Sequence, residues 1–201
     1  MCRVRKTRPT TPITWLQGPF TAEEIEAHYA AIGFRDWAHA ETGAAVLLPR
    51  HPQYELYSQG NHARSGVACA DCHMPFIRHG ALRITAHNAR SPLEDIGPAC
   101  GSCHRFPPEE MKERVKTIQQ RTTALFSRAQ DALVAPIDDI DAHGAVPPAV
   151  LAFQTKAQWR LTFVAADRSK GFHAPQEAAR LLGEAIDYAR QGQLALRGRE
   201  R

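Results

Sequence analysis

The sequence predicts a mainly α chain with little β structure: a loop-rich half followed by three long C-terminal helices. Three observations lead there. Residues 34–106 show no long periodic pattern and are rich in Gly, Pro and His. After Pro107 and Pro108, Met111, Val115, Ile118, Thr122, Leu125, Ala129 and Leu133 recur mostly four and three residues apart, the spacing of one helix face. Two more helical stretches follow that seam.

Taken in order, the chain opens on the basic run "MCRVRKTRPTTP". No apolar run follows, so the h-region of a signal peptide is missing, and residues 1–20 read as a remnant of a longer upstream part. Thr21–Glu24 has the form of a capping box, which predicts a helix over about 22–32 with Gly33 as its stop. Residues 21–106 form the region that holds two cysteine motifs. Within it, "SPLED" at 91–95 predicts a short helical turn capped by Ser91, with Pro92 first and Glu94 third. The helical region spans 107–201. Glu109 and Glu110 occupy its first turn, where the helix dipole favours acids. "PPAVLAF" opens a second helix over roughly 148–167, and "APQEAARLLGEAIDYARQG" is a third, with Ala178, Leu181, Ala185 and Ala189 on one face. These faces predict a bundle core, and the seam from Met111 to Leu133 also suits contact with a second copy.

Composition narrows the function classes. Hydrophobic residues make up 43% and charged residues 23%, ordinary for a soluble domain. The net charge of +4 is spread along the chain and gives no argument for nucleic acid. No apolar run approaches the ~20 residues of a membrane span.

The chemistry lies in "CADCH" and "CGSCH". Four of the five cysteines, Cys69, Cys72, Cys100 and Cys103, form two C-x-x-C pairs, each followed by a histidine, His73 and His104. Cys2 is left over. C-x-x-C-H is the attachment pattern of c-type haem: two thioethers hold the ring, and the adjacent imidazole reaches the iron. With 5 Cys and 10 His in 201 residues, random order would give one such match about 0.006 times, so two matches are not accidental. A four-cysteine zinc site is the alternative. Its linker here, 27 residues, is longer than usual, and it leaves both histidines unexplained. A thioredoxin-like motif lacks its βαβ setting. His62, His87, His173 and His51 are candidates for further ligands. His28, His39, His79 and His143 read as surface or core residues.

From about Pro12 to Gln193 the chain resembles the C-terminal part of the ammonia-forming cytochrome c nitrite reductases, periplasmic enzymes with five haems. The strings that carry the resemblance are "IGFRDWAHAETGA", "RHPQYELYSQGNHARSGVACADCHMP", "RSPLEDIGPACGSCH", "KAQWRLTFVAA" and "FHAPQEAARLLG". It implies that Cys69 and Cys72 hold the family's fourth haem, with His73 proximal and His173 distal. Cys100 and Cys103 would hold the fifth, with His104 proximal and His62 distal. His87 is similar to the distal ligand of the second haem, and His51 to the histidine facing substrate at the catalytic first haem. The motifs of the first three haems, and the catalytic arginine and tyrosine, lie upstream of the matched part in the family.

The resemblance thus implies the C-terminal part of an enzyme that reduces nitrite to ammonium with six electrons. This chain would carry two haems c and be inactive alone. A quinol-linked or cytochrome donor, a periplasmic location and a homodimer packed through the long helices follow from the same resemblance. The alternative is a stand-alone dihaem electron carrier. Many members bind calcium with Lys and Gln three and one positions before the substrate histidine; here those positions are Leu48 and Arg50. Calcium takes oxygen donors and a guanidinium is none, so no calcium is expected, with Arg50 in its place. Arg64, Arg78 and Arg90 are candidates to pair with haem propionates.

Overall fold

A computed structural model describes residues 21–141 and 146–197, and the expectations for residues 1–20, including Cys2, and for His143 lie outside them. The described chain is mainly α. Its elements are α1 Ala22–Ala31, β1 Trp37–Ala38, β2 Ala45–Val46, α2 Gln53–Ser58, α3 Asn61–Arg64, α4 Cys69–His73, β3 Phe76–His79, β4 Leu82–Thr85, α5 Ile96–Cys100, α6 Pro108–Asp141, α7 Pro148–Ala166 and α8 Pro175–Arg197. A single 3-10 turn, Pro92–Glu94, precedes α5, and Ser91 caps it by accepting from the Leu93 amide. Strands β1 and β2 pair antiparallel, Trp37 opposite Val46. The second ribbon, β3–β4, pairs Phe76 with Thr85 and His79 with Leu82 across a turn containing Gly80 at φ +62°.

Helix α1 starts as its capping box requires. The Thr21 amide donates to Glu24 Oε2 at 2.9 Å, and the Glu24 amide donates to Thr21 Oγ1 at 3.2 Å. Gly33, at φ +62°, takes the left-handed conformation that ends it.

The core forms where α6, α7 and α8 pack together, and α7 is its centre. Apolar residues surround α7 on all sides, which suits a helix buried from several directions. Trp159, Leu181, Leu182, Ala157 and Ala185 are fully enclosed. Tyr29 of α1 meets Trp159 edge-on at 5.9 Å, and Trp159 Nε1 donates to the Ala22 carbonyl at 2.8 Å. The core therefore takes Ala22, Tyr29, Leu47 and Leu56 from the loop-rich half as well as residues from the helices. On α8, Ala178, Leu181, Ala185 and Ala189 are buried as their spacing predicts.

The seam on α6 faces this same core. Val115, Thr122, Ala129 and Leu133 are buried, and Leu125 packs against the cluster. The seam thus serves packing within the chain, while Met111 and Ile118 toward its start are only half-buried.

Buried charge ties α1 to the bundle. Arg160, 4% exposed at its side chain, sits between Glu26 of α1 and Glu184 of α8, 2.7 Å from each. Arg180 binds Glu23 at 2.8 Å and Glu177 at 2.6 Å, and also pairs with Glu184. Burial works against the Glu23 carboxylate, but the Arg180 hydrogen bond and the Arg180 and Arg160 charges outweigh it and hold its pKa below 4.5. Removing one partner of a buried pair strands the other charges. Arg160→Leu is therefore expected to cost about 3 kcal/mol in urea unfolding, and Glu26→Gln much less. A depressed carboxylate contributes stability above its unfolded pKa and loses it as pH falls through the folded value. Stability from Glu23 should thus fade below about pH 4.5, and Arg180→Gln should flatten that acid limb of the unfolding midpoint.

Candidate functional site

Each cysteine motif closes one tight turn, the first as a short helix and the second as a turn that follows one. In α4, Cys69, Cys72 and His73 stand at i, i+3 and i+4, which places them on one face of a single turn. The Ala68 amide donates to Asp71 Oδ2 at 2.7 Å and fixes its start. Helix α5 ends at Cys100, and the next turn is closed by the His104 amide donating to the Cys100 carbonyl at 2.9 Å. All four cysteines are free thiols. Burial pushes the Cys72 thiol up, with Cys100, Asp71, Cys103 and Cys69 adding to the shift; burial does the same at Cys100. Cys72 feels both cysteines of the other motif, so the two motifs adjoin in space.

Each motif histidine faces one from a distant part of the chain. The rings of His73 and His173 lie with centroids 6.3 Å apart, and those of His62 and His104 lie 6.1 Å apart. An iron held by two imidazoles takes each nitrogen at about 2 Å, and each centroid lies roughly 1 Å behind its nitrogen, so the centroids of such a pair stand about 6 Å apart. The two pairs fit that requirement. Tyr57 closes on His173 edge-on at 5.8 Å, and Phe172 lies 6.0 Å from His62. The residues present therefore fit c-type haem: two thiols and two facing imidazoles, twice.

Local bonds aim these rings. His73 Nδ1 lies 2.7 Å from the Arg90 carbonyl, which can only accept, so Nδ1 carries the proton and Nε2 is left free. His173 Nδ1 lies 2.8 Å from Asp167 Oδ1, with the same consequence. Burial and the neighbouring His104 hold His62 below the ordinary imidazole pKa, which favours the neutral form that metals need. Gly60 explains how the pairs stay close. A Cβ there would lie 2.0 Å from the His173 carbonyl oxygen, so only glycine lets the α2–α3 corner touch the start of α8. Gln176 Nε2 donates to the Gln59 carbonyl at 2.7 Å at the same contact. Two residues on, His62 reaches the other pair.

His51 and His87 lie elsewhere. Among the described residues, neither ring faces a second imidazole, and both are exposed. His87 Nδ1 lies 2.7 Å from the Thr85 carbonyl, so its Nε2 is also left free. His51 has φ +59°, a left-handed conformation that a side chain pays for, and the fully buried Pro52 anchors it. The segment before it is held to α7, where Gln158 accepts from the Leu47 amide at 3.2 Å and donates to the Leu47 carbonyl at 3.0 Å. Arg50, Arg64, Arg78 and Arg90 are exposed, and Leu48 is half-buried. Of the histidines read as ordinary, His28 lies against Tyr29 and His39 accepts from the Thr42 amide.

Sequence reasoning missed Asp167, Ser169, Tyr57, Gly60 and the Arg90 carbonyl. "DRSKGFH" carried a signal for the first two, because an Asp two residues before a Ser favours a local turn. The other three act through backbone or through a long-range approach, which no motif records.

This fold and site define a multihaem c-type cytochrome. The chain belongs to the cytochrome c552 family, whose model matches residues 4–200. A cytochrome c-552 of Desulfotalea psychrophila is 36% identical over 197 residues, covering 95% of this chain and 39% of the relative. One from Bacteroides fragilis is 37% identical, covering 90% and 38%. The chain thus spans well under half the length of these relatives. Among solved structures, the cytochrome c nitrite reductase of Desulfovibrio desulfuricans ATCC 27774 superposes with a TM-score of 0.70 at 30% identity, over 81% of this chain and 36% of that one. An outer cell wall cytochrome shares the fold at a TM-score of 0.55 and 20% identity.

Gly60→Ala tests the contact between the two pairs. Its Cβ meets backbone that cannot move aside, so about 1–3 kcal/mol of stability should be lost, read from the denaturation midpoint. Gly97→Ala, where an added Cβ meets nothing within 4 Å, is the control and should show no such overpacking loss.

Proposed function

We propose that this chain carries two covalent haems c and is the electron-transferring C-terminal part of an ammonia-forming cytochrome c nitrite reductase. One observation carries the reading: each C-x-x-C-H turn faces a second histidine across the distance one iron needs. Cys69 and Cys72 bind the first haem by thioethers, with His73 and His173 as its axial ligands. Cys100 and Cys103 bind the second, with His104 and His62. Such haems supply one-electron transfer and, with both axial positions filled, do not take substrate.

The remaining histidines extend the reading. His87 presents a free Nε2 on the surface and serves a haem held outside this chain. His51, exposed on strained backbone, faces nitrite at a catalytic haem that is likewise supplied from outside. Its imidazole donates a hydrogen bond to a nitrite oxygen and favours N–O cleavage. Arg50 stands where calcium-binding relatives place a donor, and its fixed positive charge replaces the ion. The similarity to the nitrite reductase supports this reading, as does that of the longer cytochromes c-552. A periplasmic location, a quinol-linked or cytochrome donor and a homodimer packed through the C-terminal helices complete it. One observation supports a stand-alone dihaem carrier instead: all four histidines of the two facing pairs belong to this chain.

Expression with a periplasmic leader in a haem c-maturing host should give two haems per chain by pyridine haemochrome, retained after acid–acetone extraction. Replacing Cys69 and Cys72 by Ser should leave one. Haem removed by extraction, or stoichiometric zinc instead, would falsify the proposal. The chain alone should reduce no nitrite, whereas the full-length protein should. Dialysis of that enzyme against a strong chelator should leave its activity unchanged, and a large loss would return calcium to the site.

A further inference from the structure

We infer that Asp167 is a positioning residue for His173 and that it gives the haem of His73 and His173 a lower reduction potential than the haem of His62 and His104. The inference rests on the haem-binding reading above. Asp167 is 3% exposed, and its Oδ1 lies 2.8 Å from His173 Nδ1. Its other oxygen accepts from the Ser169 hydroxyl at 2.5 Å, and the same hydroxyl accepts from the His173 amide at 3.0 Å. The Ser169 amide donates to Oδ1 at 3.3 Å. Carboxylate, serine and histidine form a closed ring of hydrogen bonds that leaves the imidazole one orientation and one tautomer.

The Ser169 turn explains a short polar side chain here but not its charge. Asp167 is the C-cap of α7, where the helix dipole disfavours negative charge. Among the described residues its one ion-pair partner is His173, and neither Arg168 nor Lys170 pairs with its carboxylate. A buried carboxylate held against the unfavourable end of a helix is explained by what it does to the imidazole. It draws the Nδ1 proton, makes Nε2 a stronger donor and favours ferric over ferrous iron. Its negative charge acts in the same direction at short range.

The other pair lacks this device. Among the described residues, His173 makes the sole histidine–carboxylate contact. His62 faces Phe172 and His104, and neither of those two histidines makes an ion pair with a carboxylate among the described residues. In the first pair, His73 Nδ1 meets the neutral Arg90 carbonyl, so Asp167 is the carboxylate that acts there. Two adjoining centres with the same motif thus differ in that only one has a carboxylate paired with its distant histidine among the described residues. The electron settles first on the His62–His104 side, so the chain has a built-in direction.

The test is a spectropotentiometric titration of the haem-loaded chain as wild type, Asp167→Asn, Asp167→Glu and Ser169→Ala. Asp167→Asn should raise one midpoint and leave the other in place. The expected size is about a tenfold shift in that haem's reduction equilibrium, about 59 mV for one electron. Asp167→Glu keeps the carboxylate and should return most of the shift. Ser169→Ala should move the same midpoint by less. Equal shifts at both haems would mark a general charge effect and overturn the inference, as would no shift. If Asp167→Asn does not fold, Ser169→Ala decides, and unchanged midpoints sink the idea. A wild-type chain that attaches no haem refutes the underlying reading itself, and that result is known before any variant is compared.

Discussion

The constraint at each cysteine motif is a pair of imidazoles held about 6 Å apart, ring to ring. Two rings that close, with nothing between them, gain little from each other. They lose hydration and face like charge if protonated, and burial with His104 nearby already holds His62 toward its neutral form. The rest of the fold supplies the restraint. Motif turns fix His73 and His104, the α2–α3 corner carries His62, and the loop into α8 carries His173. A metal between each pair would turn this mutual cost into the site's main attraction, which links cofactor binding to stability.

The three long helices are the frame for those pairs. Helix α7 packs against α6 and α8 with Trp159, Leu161, Phe163 and Val164 buried in its last turns, and Asp167 stands at its C-terminus. Left-handed Lys170 and Gly171 turn the chain back, and Gly171 packs against Thr122 of the α6 seam. His173 is thus set by packing on α6 and α7 before any ligand arrives. Gly60 then brings the loop-rich half into contact with the same carbonyl. The Gly60 contact, the Gln176–Gln59 hydrogen bond and the Tyr57–His173 ring contact join the two halves beside the cysteine motifs.

Much of this was legible in the sequence, for physical reasons. The capping box at Thr21, the Ser91–Pro92 turn and the α6 seam are local patterns, and the structure repeats them. C-x-x-C-H is local too, since its chemistry lies within one helical turn. The pairing of His73 with His173 spans a hundred residues and follows from no periodicity, and the family resemblance implied it. The short helices α2 to α5 were not legible, because four to six residues are too few to imprint a 3.6-residue period. An a/d pattern shows that a helix face is buried, and it is silent on whether the cover is another helix of the same chain. Asp167 was missed because an acid before a turn reads as surface, whereas here it is nearly inaccessible.

The central claim is that each motif turn shares one iron with one distant histidine, His173 for the first and His62 for the second. Low-temperature EPR of the oxidised, haem-loaded chain tests it most directly. The wild type should show two low-spin ferric haems and no high-spin signal. His173→Ala and His62→Ala should each convert one haem to high spin, and the double variant should convert both. A single variant that converts both haems, or a double variant that leaves either one low-spin, would contradict the pairing.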